Sequence, residues 1–182
     1  MSQSKRVPSL MLDLDAASIV ESITTSEISI SGRLVDASNA TLFGTVSSET
    51  GEHEIPIIYK PIAGERPLWD FPDGDLASRE VAAYEINKYL SFNIVPFTTL
   101  RDGPYGIGAV QQWIEIDESF DLIAFSQTDD PRLREIALFD AVINNTDRKI
   151  GHLLMDAKHN LFGIDHGVSL HSENKLRTVL WQ

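Results

Sequence analysis

The chain has 182 residues, which is enough for one domain with a real hydrophobic core. At 42% hydrophobic and 23% charged residues, its composition is that of a globular protein and not of a disordered one. The formal net charge of -12 argues against a non-specific nucleic-acid binder and against docking on anionic lipid by charge alone.

The N-terminal part of the chain has the pattern of an antiparallel sheet. A short amphipathic helix is predicted around Ala16 to Ile23, before the first strand. Apolar and polar residues alternate from Ile28 to Val35 and again from Ala40 to Val46, on either side of a polar turn, which predicts a β-hairpin. A third strand, Ile55 to Tyr59, ends in Lys60-Pro61.

The middle of the chain adds a helix and two strands. Asp75 or Ser78 could cap a helix from about Leu76 to Leu90, after a loop rich in Pro and Gly. Strands are predicted at Asn93 to Leu100 and at Ile107 to Ile114, with a turn between them.

The last third predicts a helix followed by a small hairpin. An acidic, loosely patterned stretch from Glu115 to Asp130 marks a boundary near its start. Pro131 suits the first turn of a helix that continues to Asn144-Asn145. Short strands follow at His152 to Met155 and at Leu161 to Ile164. Strands and helices in this order predict an α+β fold with an antiparallel sheet, formed by residues 1–182 as a single domain.

Two absences bear on location. There are no cysteines, which excludes disulfide frameworks and cysteine zinc sites and is compatible with the cytoplasmic location that we expect. No apolar run is long enough to span a bilayer, so we expect no stable membrane insertion.

Lys60 and Glu80 are the first candidate site residues. Lys60 ends a predicted strand, from which a fixed ammonium could reach a phosphate, and Glu80 on the next helix could pair with it. Taken alone, both residues are more typical of solvated surface charges than of a site.

Asp147 and Asp165 are two further candidates, eighteen residues apart, and each lies next to an apolar run. Asp147 could orient or deprotonate a hydroxyl, while Arg148 or Lys149 would offset phosphate charge. Asp165 leaves a buried strand beside Gly167, which suits a metal ligand. The alternatives are an ordinary polar turn for Asp147 and a strand-to-turn cap for Asp165.

Taken together, these residues resemble the phosphatidylinositol 3-/4-kinase-like superfamily, with the closest likeness to type II phosphatidylinositol 4-kinases and related atypical kinases of bacteria. Four segments carry the resemblance, in family order. They are Ile58-Tyr59-Lys60-Pro61, Arg79-Glu80-Val81-Ala82-Ala83-Tyr84, Asn144-Asn145-Thr146-Asp147-Arg148 and Gly163-Ile164-Asp165-His166-Gly167. The combination is fairly specific, whereas no single segment would be.

The resemblance implies a bilobal protein-kinase-like fold that binds ATP with Mg²⁺ or Mn²⁺. The N-lobe would cover residues of about 25–114, and a short or truncated helical C-lobe would cover 115–182. Lys60 would contact the α/β-phosphates and Glu80 would hold Lys60. Asp147 would be the catalytic-loop aspartate and Asp165 the metal-binding aspartate.

The resemblance also implies where the rest of ATP would lie. Residues Gln111 to Glu115, including Gln112 and Trp113, would form the hinge that faces adenine. The turn Asp36-Ala37-Ser38-Asn39 could cover the phosphates through Ser38, although it lacks the glycines that kinases use there.

Three departures limit the expected activity. His152 stands where the family has an asparagine as second metal ligand, so it changes metal preference, takes no part, or marks a lost activity. Lys149 stands where histidine is usual. The sequence also stops soon after Asp165, where a kinase C-lobe normally continues.

Two functions follow from the resemblance. The first is a phosphotransferase whose acceptor hydroxyl belongs to a protein, a small metabolite or, less suitably for so acidic a chain, an inositol lipid. The second is a pseudokinase that binds nucleotide without turnover. An α+β domain with an unrelated role is the remaining alternative.

Overall fold

The computed structural model describes residues 14–34 and 39–180. These ranges form a five-stranded antiparallel sheet, a two-stranded sheet and four α-helices. The helices are α1 (Ala16–Thr25), α2 (Leu76–Tyr89), α3 (Leu122–Ser126) and α4 (Pro131–Val142). The strands are β1 (Ile28–Arg33), β2 (Leu42–Ser47), β3 (Glu54–Pro61), β4 (Thr98–Gly103), β5 (Gly106–Gln112), β6 (Leu153–Met155) and β7 (Leu161–Gly163). The predicted α+β class with an antiparallel sheet is therefore confirmed.

The large sheet has the strand order β1-β2-β3-β5-β4, and one of its faces packs on α1. Side chains alternate between the two faces of a strand. In β3, Ile57 and Tyr59 are fully buried in a core that includes Ile23 of α1. Ile58 and Lys60 therefore point to the opposite face, which places Lys60 on the side away from α1.

A second hydrophobic core joins α2, α4 and the small β6-β7 sheet. Its residues are Ala83, Ile94, Val95, Leu133, Ile136, Phe139, Ile143, Leu153, Met155 and Leu161. Asp130 caps α4 by accepting the N–H of Arg132 at 2.9 Å, and Pro131 follows in the first turn. Helix α2 contributes Ala83 to this core and also contacts β4 and β5 of the large sheet, so it connects the two cores.

Two predictions for individual elements are wrong. The predicted strand Asn93 to Leu100 forms only in its last three residues, since β4 begins at Thr98. The N–H groups of Ile94 and Val95 instead donate to the side-chain oxygen of Asn87, at 2.9 and 3.2 Å. The five-residue helix α3 lies in the acidic stretch for which no element was predicted.

Among the described residues, no helix combines the length and the apolar character needed to cross a bilayer.

Candidate functional site

Lys60, Glu80 and Asp165 meet on the sheet face opposite α1. The Lys60 ammonium forms an ion pair with Glu80 Oε1 and lies 3.2 Å from Asp165 Oδ1. Glu80 is 3% exposed, whereas the Asp165 side chain is 52% exposed. Residues separated by 20 and 105 positions in the chain thus come together at one point.

The charges in this cluster support one another. Burial lowers the pKa of Lys60, but the two neighbouring carboxylates together outweigh it, so the pKa lies above its ordinary value. The Lys60 charge in turn holds the pKa of Asp165 well below its usual range, against the opposing effect of burial. Lys60 is therefore a cation and Asp165 an anion at neutral pH.

The loop that carries Asp165 is held in a special backbone conformation. Asp165 has a φ of 62°, in the left-handed region, where aspartate is among the few non-glycine residues found with any frequency. On its N-terminal side the N–H of Ile164 donates to the carbonyl of His152 at 2.9 Å. On its C-terminal side the N–H of His166 donates to Glu80 Oε2 at 2.9 Å. Glu80 therefore fixes both the Lys60 ammonium and the Asp165 loop.

His152 lies beside the Asp165 carboxylate. Its Nε2 is 3.4 Å from Asp165 Oδ2, and its side chain is 14% exposed. Burial lowers the pKa of His152, and this effect exceeds the opposing influence of Asp165, so the imidazole is neutral at pH 7. A neutral imidazole keeps one nitrogen lone pair, which makes His152 a possible metal ligand.

Asp165 and His152 are the two side chains that could hold a metal at this point. Within residues 14–34 and 39–180, no group of three or more His, Asp or Glu side chains is arranged to bind a metal without further ligands. Mg²⁺ at nucleotide sites is typically held by one or two carboxylates together with substrate phosphates, so the pair still fits a phosphate-bound ion. An imidazole nitrogen in the set suits Mn²⁺ better than Mg²⁺.

Asp147 and Lys149 lie in the turn after α4. Lys149 Nζ is 2.7 Å from Asp147 Oδ2, and the two side chains are 61% and 46% exposed. The hydrogen bond that Lys149 donates to Asp147 raises the pKa of Lys149, and the charge of Asp165 adds to the rise. Lys149 is thus within electrostatic reach of both predicted carboxylates.

Arg148 is placed differently from the expectation. Its side chain is fully buried, so the predicted role of offsetting phosphate charge does not fit its position. The guanidinium donates from Nη2 to Asp140 Oδ1 at 2.8 Å and from Nε to both carboxylate oxygens at 3.0 and 3.1 Å. Its Nη1 donates to the carbonyl of Ile164 at 2.9 Å. Arg148 therefore ties α4 to the Asp165 loop from inside the protein.

His166 completes this buried network. Its Nε2 lies 2.7 Å from Nη2 of Arg148. Because arginine has no acceptor, Nε2 must carry the lone pair and Nδ1 the proton. Burial and the adjacent Arg148 charge both lower the pKa of His166 well below its ordinary value, which favours this neutral form. Asp140 and His166 were not predicted as site residues. The sequence signal for Asp140 is a charged residue within the apolar pattern of α4.

The predicted hinge residues divide into two kinds. Gln111 is 5% exposed and donates from its side chain to Thr98 Oγ1 at 2.8 Å, so its amide does not face a ligand. The N–H of Gln112 donates to the carbonyl of Phe97 at 2.9 Å. Both glutamines therefore have structural partners.

Trp113, unlike the two glutamines, lies in an apolar environment. Its ring packs edge-on against Phe43, with 5.1 Å between centroids. Phe43 pairs with Ile58 in the β2-β3 register, so it lies on the same sheet face as Ile58 and Lys60. Phe43, Ile58 and Trp113 thus form an apolar patch on the sheet face that carries the Lys60 ammonium. Ser38, predicted to cover the phosphates, lies outside the described residues.

No family model matches the chain. Protein Rv2133c of Mycobacterium tuberculosis (strain ATCC 25618 / H37Rv) is 41% identical over 190 residues, which cover 85% of this chain and 68% of that protein. The chain therefore belongs to the same family as Protein Rv2133c.

Proposed function

We propose that the protein is an ATP-dependent phosphotransferase of the phosphatidylinositol 3-/4-kinase-like type. The observation that carries the proposal is the contact of Lys60 with both Glu80 and Asp165. A lysine and a glutamate 20 residues apart have no specificity as a sequence pattern. Their pairing, with the aspartate of a distant loop as third member, is the arrangement that the resemblance predicts.

The proposal includes a bilobal kinase-like arrangement. The large sheet with α1 and α2 would be the N-lobe, and the core built on α4 and the β6-β7 sheet, against which α2 also packs, would form most of the C-lobe. Lys60 would then lie on the N-lobe face that looks into the cleft, with Asp165 across from it. The apolar patch of Phe43, Ile58 and Trp113 would pack against the adenine ring.

Each charged residue has a defined task in this proposal. Lys60 would contact the α/β-phosphates, and Glu80 would keep its ammonium in place. Asp165 and His152 would hold Mg²⁺ or Mn²⁺, which when bound supplies neutralisation of phosphate charge. Since Asp165 is half-exposed and ionised, its carboxylate is available for that ligation without prior loss of a proton.

Asp147 would act on the acceptor. Its half-exposed carboxylate would orient an acceptor hydroxyl and take the proton that the hydroxyl loses. The hydroxyl oxygen forms a bond to the γ-phosphorus, the bond from that phosphorus to the bridging oxygen breaks, and ADP leaves with the electron pair. Lys149, next to Asp147, would offset the charge of the transferring group. The acceptor would be a protein or small-molecule hydroxyl, with an inositol lipid as the less suitable case.

Nucleotide-dependent stabilisation tests the proposal. A ligand that binds the folded state alone at 100 times its Kd stabilises it by about 2.7 kcal/mol, which for a chain of this size is a Tm rise of roughly 5–10 °C. We expect that rise with ATP and Mg²⁺ or Mn²⁺, and we expect Lys60→Met to abolish it. Lys158→Met, which removes an exposed turn lysine, is the matched control and should keep the full shift. No shift with either metal would refute nucleotide binding.

A nucleotide-binding module without turnover is the second candidate. It is favoured by the imidazole of His152, which lies 3.4 Å from Asp165. The kinases that the chain resembles have an asparagine at this position, whose amide oxygen suits Mg²⁺ better. ADP formation separates the two functions once binding is established. The phosphotransferase predicts ADP formation by the wild type, its loss in Asp165→Asn, and a higher rate with Mg²⁺ in His152→Asn. Binding without ADP formation in any of these proteins would favour the module.

A further inference from the structure

An open cavity of about 580 Å³ lies next to Asp147, and its second wall, residues 176–179, has no role in the proposed nucleotide site. It is lined by residues 146–149 on one side and 176–179 on the other. Its volume is within the range of about 300–1,000 Å³ that is typical of small-molecule sites. The space therefore suits a small molecule that would reach the Asp147 carboxylate.

The two walls of the cavity are fixed to each other through the backbone. The N–H of Arg148 donates to the carbonyl of Arg177 at 3.1 Å, and the N–H of Arg177 donates to the carbonyl of Asn145 at 2.8 Å. Arg148 and Thr178 also form a parallel β-bridge. These backbone bonds hold the two walls in a fixed arrangement, which limits the loss of conformational freedom on binding.

The charges around the cavity differ from those of the whole chain. The protein carries a net charge of -12, but the cavity wall has one acidic residue, Asp147, which is already paired with Lys149. The Arg148 charge is matched by Asp140 inside the protein. Arg177 is exposed, and its guanidinium forms no hydrogen bond or ion pair with any residue that the structure describes. The lining thus presents one uncompensated cation.

Arg177 gives the cavity a chemical preference. A guanidinium offers a planar fork of donors that matches a carboxylate or a phosphate. Leu176 and Val179 in the same wall can cover a short carbon skeleton. Asp147, on the opposite wall, can accept a hydrogen bond from a hydroxyl.

We propose that this cavity binds a small anionic alcohol, with Arg177 holding the carboxylate or phosphate and Asp147 receiving the hydroxyl. The binding site rests on the cavity alone, whereas its meaning as the acceptor site rests on the proposed phosphotransferase function. Arg177 is then the residue that selects charged over neutral alcohols.

Binding without nucleotide tests the site independently of ATP. Glycerol 3-phosphate is titrated into the isotope-labelled full chain, and backbone amide shifts are followed by NMR, with glycerol as the neutral probe. We expect shift changes at 146–149 and 176–179 with glycerol 3-phosphate at millimolar concentrations and none there with glycerol. Arg177→Gln should weaken the affinity about tenfold, as expected for loss of a charge-assisted hydrogen bond. Arg134→Gln, which removes an exposed arginine of α4, should leave the affinity unchanged.

Several outcomes would overturn the proposal. They are shift changes concentrated elsewhere, equal binding of the two probes, or an Arg177→Gln protein that binds as well as the wild type. Vesicles containing phosphatidylglycerol separate a lipid headgroup from a free small molecule, and binding to vesicles without binding to glycerol 3-phosphate would also refute it. The NMR titration contains no nucleotide, so its result does not depend on whether ATP stabilises the protein. Failure of the nucleotide proposal and failure of the cavity proposal are therefore distinguishable.

Discussion

The buried pair of Asp140 and Arg148 makes a quantitative prediction for stability. Both side chains are fully buried, and Asp140 accepts three contacts from the guanidinium at 2.8 to 3.1 Å and a fourth from Asn145 Nδ2 at 2.8 Å. Asp140→Asn keeps the shape but removes the charge, which leaves the Arg148 cation without its counter-ion. Breaking a buried pair in this way costs about 3–5 kcal/mol. For a chain of this length that is a fall in Tm of roughly 6–20 °C.

Urea unfolding followed by far-UV circular dichroism measures this cost as a change in midpoint at constant slope. Asp129→Asn is the matched control, because Asp129 pairs with Arg134 at the surface, with its side chain 91% exposed. Loss of a surface pair should cost less than about 1 kcal/mol. The reasoning is refuted if Asp140→Asn is no more destabilising than the control. A further check is the double change Asp140→Leu with Arg148→Met, which should be more stable than Asp140→Leu alone because no uncompensated charge remains.

Two further predictions concern the sheet and the buried histidine. A Cβ at Gly108 in β5 would lie 2.5 Å from the Lys60 carbonyl oxygen and 2.6 Å from Pro61 Cα, so Gly108→Ala should lower the free energy of unfolding in urea by about 1–3 kcal/mol. The control is Gly32→Ala in β1, where a Cβ meets open space and should cause no such loss. Equal losses in the two variants would contradict the packing argument. Because the pKa of His166 is lowered in the folded state, the unfolded chain protonates this histidine below about pH 6.5 while the folded chain does not. The free energy of unfolding should therefore fall by up to about 1.4 kcal/mol for each pH unit below that point. His166→Gln should flatten this profile, and an unchanged slope in the variant would rule the explanation out.

Much of the fold was predictable because its signals are local. Alternating residues predicted the first two strands, and Asp75, one of two candidate caps, marks the start of α2, where it accepts the N–H of Ser78 at 2.6 Å. The error at Ile94 and Val95 has a different origin. An apolar run is compatible with a strand, and the side chain that takes its N–H groups, Asn87, lies in the preceding helix. No local pattern records that partner.

The candidate site was predictable in part for a similar reason. The order of the motifs brought Lys60, Glu80 and Asp165 into one hypothesis, but only the folded chain provides their contacts. Arg148 was assigned to the wrong environment because the polar residues around it are typical of an exposed turn. Its partner, Asp140, lies eight residues earlier on the buried side of α4, and burial of a charge depends on such a pairing.

Glu80 connects the large sheet with the loop that carries Asp165. One carboxylate oxygen holds the Lys60 ammonium of the sheet, and the other holds the backbone of the loop that contains Asp165. A rotation of this single side chain would disturb both contacts together. Any ligand that pulls on the ammonium would therefore change the free energy of the loop, and by reciprocity ordering of the loop would change the affinity for that ligand by the same factor. Glu80 thus joins the Lys60 ammonium and the Asp165 loop through one side chain, which gives the two a direct route for coupling.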